Sequence, residues 1–186
     1  GDNAADATIG NAGSITAGTY GILVEGREGD DGELLGGHNA GTIANAGSIS
    51  AGQVGILVDG DSNVLTNAGT INAVEGGHVI LGDAGTITNS GHIATSGDGA
   101  DGIQITGTAA VVNHGSIAVG GEGSYAINMT GAAQTLVNSG TLASSGVAIA
   151  SNGDDTVVMA TGASVTGVIA ASGEGGFITT DDEWLY

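Results

Sequence analysis

The side chains in this chain of 186 residues that could do chemistry are few: four histidines, 20 acidic residues and one arginine. The histidines are His38, His78, His92 and His114. His92 takes a Ser/Thr position of a repeat and His114 follows a repeated Asn, so both are expected on the surface. No Gly-x-Ser-x-Gly motif offers a nucleophile elbow. Arg27 is the only permanent cation, which disfavours cleavage of anionic polysaccharides, and we expect no catalytic residues.

Aspartates in turns are the candidates for metal binding, because Ca²⁺ takes six to eight oxygen ligands. The strongest candidates are Asp98 with Asp101 and Asp154 with Asp155. Tandem glycine–aspartate nonapeptides, which bind Ca²⁺ in some β-helices, are missing apart from one partial match at 152–158. Calcium is therefore the one candidate cofactor, and the alternative is that these acidic turns are simply solvated.

Charge and composition narrow the partners. The formal net charge is −19 with no lysine, so nucleic acid and anionic membrane surfaces are not expected partners. No cysteine is present, which excludes disulfides and thiolate metal sites. No apolar run reaches the roughly 20 residues of a membrane-spanning helix, so we expect no membrane insertion of this segment.

An internal repeat of the form apolar-x-Asn-x-Gly-Ser/Thr-Ile organises the chain. Most copies start 22 to 25 residues apart, whereas the step from Ile9 to Ile43 is 34 residues. The long step predicts a loop inserted near 26–37. In the last copy Thr161 stands at the Asn position. The copies start at Ile9, Ile43, Leu65, Ile87, Val111, Leu136 and Met159.

Each repeat holds three short extended pieces that alternate with period 2 and are bounded by Gly, Asn or Asp. Three strands in so short a repeat predict one coil of a parallel β-helix, with equivalent strands about 4.8 Å apart in successive coils. We predict an all-β, right-handed parallel β-helix (β-solenoid) of about seven three-strand coils over 1–172, followed by an acidic-aromatic tail over 173–186.

Three inward columns of aliphatic residues are expected to form the core, because no single repeat can bury its own apolar face. The first column consists of the apolar residues that start the seven repeat copies, from Ile9 to Met159. The second is Ile15, Ile49, Ile71, Ile93, Ile117, Leu142 and Val165. The third is Ile22, Ile56, Val79, Ile103, Ile127, Val147 and Val168.

A column of asparagines is interpreted as structural rather than ligand-binding. Asn tolerates left-handed backbone at turns, and stacked amides can hydrogen-bond from coil to coil. The glycine two residues later is expected to supply a positive φ where the chain turns. The column comprises Asn11, Asn45, Asn67, Asn89, Asn113 and Asn138.

The Asn-Ala-Gly-Ser/Thr-Ile repeats, with Gly-Ile-x-Val between them, resemble those of autotransporter passenger domains and related bacterial surface β-helices. The stretch Asn152-Gly153-Asp154-Asp155-Thr156-Val157-Val158 is similar to the last coils of many such passengers. The resemblance covers roughly 6–172. It implies an extracellular or cell-surface location. It is weak for activity, since the family includes adhesins, autoaggregation factors, proteases and esterases.

Two departures from the repeat are candidate interfaces. Leu23, Leu57 and Ile80 form an outward apolar stripe, which could be covered by the inserted loop or by another subunit. The tail carries aromatic residues, which are favoured interface anchors and could cap the last coil or add a strand to a neighbour. The tail residues concerned are Phe177, Trp184, Leu185 and Tyr186.

Two main classes of function stay open. The leading hypothesis is a non-enzymatic extracellular protein, either an adhesin stalk or a self-assembling filament subunit that binds copies of itself or a surface receptor. The alternative is a carbohydrate-active β-helix that cleaves polysaccharide. Ice binding is a minor alternative, because the outward Ser/Thr pairs of the first coils, such as Ser14/Thr16, decay to His92/Ala94 further along.

Overall fold

The computed structural model describes residues 8–24, 41–58, 63–74, 79–81, 85–129, 133–152, 155–172 and 176–179. In this part of the chain the structure is all-β, without a helix, and parallel strands stack coil upon coil as a β-solenoid. The predicted fold class is confirmed. The predicted insertion at 26–37 lies outside the described residues.

Five coils contain three separate strands each. They are β1 (Thr8–Asn11), β2 (Ser14–Ala17) and β3 (Tyr20–Val24); β4 (Thr42–Asn45), β5 (Ser48–Ala51) and β6 (Val54–Val58); β7 (Val64–Asn67), β8 (Thr70–Ala73) and β9 (Val79–Leu81); β10 (Gly85–Asn89), β11 (His92–Thr95) and β12 (Ile103–Ile105); β13 (Ala109–Asn113), β14 (Ser116–Val119) and β15 (Ile127–Met129). Two further coils are β16 (Thr135–Asn138) with β17 (Thr141–Asn152), and β18 (Thr156–Met159) with β19 (Ser164–Ser172). The last strand is β20 (Gly176–Thr179).

The strand count corrects the prediction of about seven three-strand coils. In the described part of the chain only five coils have three separate strands, because β17 and β19 continue without a break where the other coils have a gap between their second and third strands. β17 pairs with both β14 and β15 and so joins two stacks of strands into one 12-stranded sheet. The other sheet is a stack of eight strands that starts with β1 and ends with β20.

The inward columns follow the predicted register through most of the solenoid. The column from Ile15 to Val165 pairs residue for residue as predicted. In the middle coils these aliphatic side chains are fully buried, as Ile49, Ile93 and Ile117 show. Burial of each such side chain stabilises the fold by roughly 1.5–3 kcal/mol.

The columns were predicted wrongly at their C-terminal ends. Leu136 pairs with Val157 rather than with Met159, because four residues separate β18 from β19 where two separate β16 from β17. Met159 instead pairs with Asn138, so Met159, and not Thr161, stands at the Asn position.

A second error lies in the third column. Ile127 pairs with Ile149, and Ile149 pairs with Ile169, in place of the predicted Val147 and Val168. The pairing of β17 with β19 shifts register on both sides of Val147. The shift places Val168 outward, with 58% of its surface exposed. A sequence period does not reveal such a bulge, since it inserts residues without changing the pattern of residue types.

The Asn column forms a continuous chain of amide hydrogen bonds. Asn11, Asn45, Asn67 and Asn89 each donate from Nδ2 to Oδ1 of the next Asn at 2.8 Å. Asn113 donates to Asn138 at 2.7 Å. The predicted stacking of amides is confirmed. No Asn of the column has a positive φ, since Ala133 is the only such non-glycine residue in the described ranges, so the left-handed interpretation was wrong.

The glycines of the same corners are required by space, not by φ. Among the described residues only Gly99, Gly123, Gly162 and Gly167 have positive φ, and none belongs to the repeated Asn-x-Gly corner. A Cβ built on Gly47 would lie 2.0 Å from the carbonyl oxygen of Gly13 in the preceding coil. The predicted role of these glycines was therefore wrong: they let successive corners stack.

Candidate functional site

The described histidines lie on the outside of the solenoid, His92 as the first residue of β11 and His114 in the corner between β13 and β14. His92 and His114 are exposed, as expected, and each Nδ1 lies 2.6 Å from the Oγ of a serine in the following coil. The serines are Ser116 and Ser139. These pairs link neighbouring coils at the surface. His38 and His78 lie outside the described residues.

The candidate calcium ligands do not converge in the described part of the chain, where no group of three or more His, Asp or Glu could hold a metal. Asp98 is exposed, and its Oδ1 accepts the N–H of Glu122 at 2.9 Å. Asp101 is buried and accepts from the Tyr125 N–H at 2.8 Å and from Asn128 Nδ2 at 2.6 Å. Both carboxylates thus hold the loop of the next coil. Asp154 lies outside the described residues.

Asp155 belongs to a buried group of polar residues that the sequence did not reveal. Its Oδ1 accepts the backbone N–H of Gln134 at 2.9 Å and its Oδ2 accepts the hydroxyl of Ser151 at 2.8 Å. We call Gln134, Ser151 and Asp155 the polar corner. All three are buried, and Asp155 and Gln134 are each only 1% exposed. The one signal in the sequence is a change of residue type at one position of the repeat. Gln134 and Asp155 stand directly before β16 and β18, whereas the small residues Gly85 and Ala109 occupy the equivalent positions at the start of β10 and β13.

Gln134 spans two coils. Its Nε2 donates to the carbonyl oxygens of Gly107 at 2.8 Å and Ile105 at 3.3 Å. Its Oε1 is buried and is the one such side-chain atom without a hydrogen-bond partner in the described ranges. Ala133, directly before it, has a φ of 55°. Strain and an unsatisfied buried acceptor are the two kinds of irregularity that mark functional positions in otherwise regular folds.

The predicted apolar stripe lies in a row of paired residues that leads further along to a groove. Leu23 is 39% exposed, Leu57 is half-buried, and Ile80 pairs between Leu57 and Gln104. Further along this row the side chains shrink to alanine. A groove of about 360 Å³ opens there, lined among others by Tyr125, Asn128, Ala150, Ala170 and Ser172.

The first described coil is less buried than the coils that follow it. Ile9 and Ile15 are only half-buried, whereas their partners Ile43 and Ile49 are fully buried. A Cβ on Gly13 would meet nothing within 4 Å. The outer edge of this coil therefore has the shape and the apolar surface that an inner coil presents to its neighbour.

At the other end, part of the predicted tail continues the chain's own solenoid. β20 pairs in parallel with β18, and Phe177 is the backbone partner of Val157. β19 is largely exposed along its length. The remaining predicted interface residues, Trp184, Leu185 and Tyr186, lie outside the described residues.

Compared with models of known protein families, with curated proteins and with solved structures, the chain matches none of them. Within the described residues no helix is long and apolar enough to cross a membrane. The resemblance to bacterial surface β-helices stays a prediction from the sequence.

Proposed function

We propose that this chain is a non-enzymatic extracellular rod, either the stalk of a surface adhesin or the subunit of a self-assembling filament. Its recurrent polar side chains, such as the stacked asparagines, hold one coil to the next. Its acidic surface disfavours contact with nucleic acid and anionic membranes. These features suit a protein whose task is to keep an extended shape.

The first coil, whose outer edge no described strand covers, is the observation that carries this proposal. An inner coil donates backbone N–H groups at its corner to the coil before it, as the Ser48 N–H does to the Gly13 carbonyl at 2.8 Å. The edges of β1, β2 and β3 that face away from the second coil have no strand paired to them among the described residues. Unpaired strand edges above an apolar cross-section are a template for strand addition.

The occupant we propose for this edge is the C-terminal coil of a second copy. Among the described residues, β1 to β3 at one end and β19 and β20 at the other each have one edge without a partner strand, so parallel stacking would continue the sheets from one molecule into the next. Such a contact is heterologous and does not close, so it produces a linear filament rather than a dimer.

A single methyl group tests this arrangement. Gly13→Ala leaves the monomer intact, since the new Cβ meets nothing within 4 Å. In a filament the same Cβ would approach the corner carbonyl of the docked coil, as a Cβ on Gly47 approaches that of Gly13 at 2.0 Å. We expect wild type to form fibres in electron micrographs and Gly13→Ala to remain monomeric with an unchanged melting temperature.

Gly10→Ala is the matched control. Its Cβ also meets nothing within 4 Å, but the partner of Gly10 in the next coil is already an alanine, Ala44. Gly10→Ala should therefore assemble like wild type. Fibres of equal length from Gly13→Ala would exclude assembly through the stacked coil ends. Short isolated rods from wild type would exclude the filament and leave the adhesin stalk as the proposed function. Turnover of any polysaccharide by the purified protein would overturn the non-enzymatic assignment in favour of a carbohydrate-active β-helix.

A further inference from the structure

The polar corner buries a carboxylate with little compensation. Asp155 is 1% exposed, and each of its oxygens accepts one hydrogen bond, one from the Gln134 N–H and one from the Ser151 hydroxyl. Each carboxylate oxygen has two lone pairs, so half of its accepting capacity is left. A buried charge is costly unless it is paired or fully hydrogen-bonded. No basic side chain occurs in the described ranges, since Arg27, the chain's only arginine, lies outside them and lysine is absent.

The orphaned oxygen of Gln134 adds a second demand for positive charge in the same corner. The amide cannot be turned over to satisfy it, because Nε2 already donates to the carbonyl oxygens of Gly107 and Ile105. Exchanging the two ends would bring Oε1 against those carbonyl oxygens. Oε1 therefore stays an acceptor without a donor, and it belongs to the residue whose backbone N–H binds the Asp155 carboxylate.

We propose that a hard metal cation binds in the polar corner, held by Gln134 Oε1, the Asp155 carboxylate and Ser151 Oγ. One cation satisfies both demands: it gives the amide oxygen a partner and neutralises the buried charge. A water molecule could donate to Gln134 but would leave the charge uncompensated. All three groups are oxygen donors, which hard cations prefer to nitrogen and sulfur.

Calcium is the probe of choice. Ca²⁺ accepts carboxylate, amide and hydroxyl oxygens in flexible geometry, and backbone carbonyls or water complete its six to eight ligands. Mg²⁺ demands near-ideal octahedral geometry and gives up its water reluctantly, so it should bind more weakly here. The site joins β16, β17 and β18, and an ion there would hold two successive coils together. This inference does not depend on how the rods assemble.

The experiment is thermal unfolding and calorimetric titration of the full chain with CaCl₂, at an ionic strength held constant with choline chloride. Wild type should bind one Ca²⁺ per chain and melt at a higher temperature with Ca²⁺ than with EDTA. Gln134→Met removes the amide oxygen at nearly constant length, and Asp155→Asn removes the charge at constant shape. Each should weaken Ca²⁺ binding at least tenfold and abolish the shift in melting temperature.

Asp98→Asn is the matched control, since it removes the same charge from an exposed carboxylate. It should keep both the affinity and the thermal shift. If Asp155→Asn fails to fold, Gln134→Met and Ser151→Ala still test the site, because neither removes the charge. The proposal is overturned if wild type shows no Ca²⁺-dependent shift, or if Asp98→Asn weakens binding as much as Gln134→Met does.

Discussion

Single asparagines connect the coils most directly. Buried amides are costly when unpaired, yet Asn67, Asn89 and Asn113 are completely buried. Each is tolerated because its Nδ2 has an acceptor above and its Oδ1 has a donor below. The chain of amides ends where Met159 takes the next position, and there Asn138 Nδ2 donates to Gly140 O at 3.2 Å. The column therefore has a direction, and at its first member the Oδ1 of Asn11 accepts the backbone N–H of Gly13 at 3.1 Å instead of an amide of another Asn.

Replacing an asparagine in the middle of the column should cost more than replacing the first one. Asn89→Ala leaves the buried Asn113 Oδ1 without its donor and leaves Asn67 Nδ2 only its longer bonds to the carbonyl oxygens of Gly69 and His92, so it should lower the free energy of unfolding by about 2–4 kcal/mol. Asn11→Ala strands only Asn45 Oδ1 and should cost about 1–2 kcal/mol. Urea denaturation measures both, and equal losses would contradict the role of stacked amides.

Ala133 offers a test of local strain beside the polar corner. Its φ of 55° lies in the left-handed region, where a Cβ costs roughly 1–2 kcal/mol. Ala133→Gly removes that cost but gains backbone entropy in the unfolded chain. We expect the variant to be as stable as wild type or more stable by up to about 1 kcal/mol in urea denaturation. A clear loss of stability would mean that the methyl group itself makes a needed contact.

At the scale of the strands and their connections, the repeated Asn-x-Gly corners restrict the sequence more strictly than the strands do. Gly69, Gly91, Gly115 and Gly140 repeat the arrangement of Gly47, each with the preceding glycine's carbonyl oxygen 2.0–2.1 Å from an added Cβ. The strands alone would accept many aliphatic residues. The spacing of about 4.8 Å between coils is kept because the glycine position of each corner carries no side chain.

An alanine in an inner corner should therefore destabilise the solenoid. Gly91→Ala places its Cβ 2.0 Å from the Gly69 carbonyl oxygen, so the two coils must move apart. Overpacking of this kind costs about 1–3 kcal/mol or more. Differential scanning calorimetry should show a clearly lower melting temperature than for Gly10→Ala, whose Cβ meets nothing. Equal melting temperatures would mean that the corners adjust freely.

The repeat was enough to predict the elements but not every contact. The period placed Ile15, Ile49 and Ile71 in one column, because residues of one type recur where equivalent strands pair. It misplaced Met159 and Val168, since a longer corner and a bulge shift register without changing residue types. The polar corner was missed for a further reason. Glutamine takes this position of the repeat in one coil, at Gln134, so no recurring pattern marks it. Only the structure shows that its amide reaches the carbonyl oxygens of the preceding coil.

Over the whole molecule, charge opposes the association that the coil ends favour. Each rod carries a formal net charge of −19, so two rods approaching end to end repel each other. The apolar cross-section acts only at contact, whereas the repulsion reaches over the Debye length, roughly 30 Å at 0.01 M salt and 10 Å at 0.1 M. Salt therefore controls the balance between single rods and filaments.

Raising the NaCl concentration should convert single rods into filaments. At low ionic strength we expect monomers in analytical ultracentrifugation, and at 0.1 M salt or above the Debye length falls to about 10 Å and end contacts can form. Gly13→Ala should stay monomeric throughout, because its obstruction is steric, whereas Gly10→Ala should follow wild type. Adding CaCl₂ at matched ionic strength distinguishes screening of the rods' net charge from binding of Ca²⁺ in the polar corner. Sedimentation of wild type that does not change between these salt conditions would contradict assembly through the coil ends.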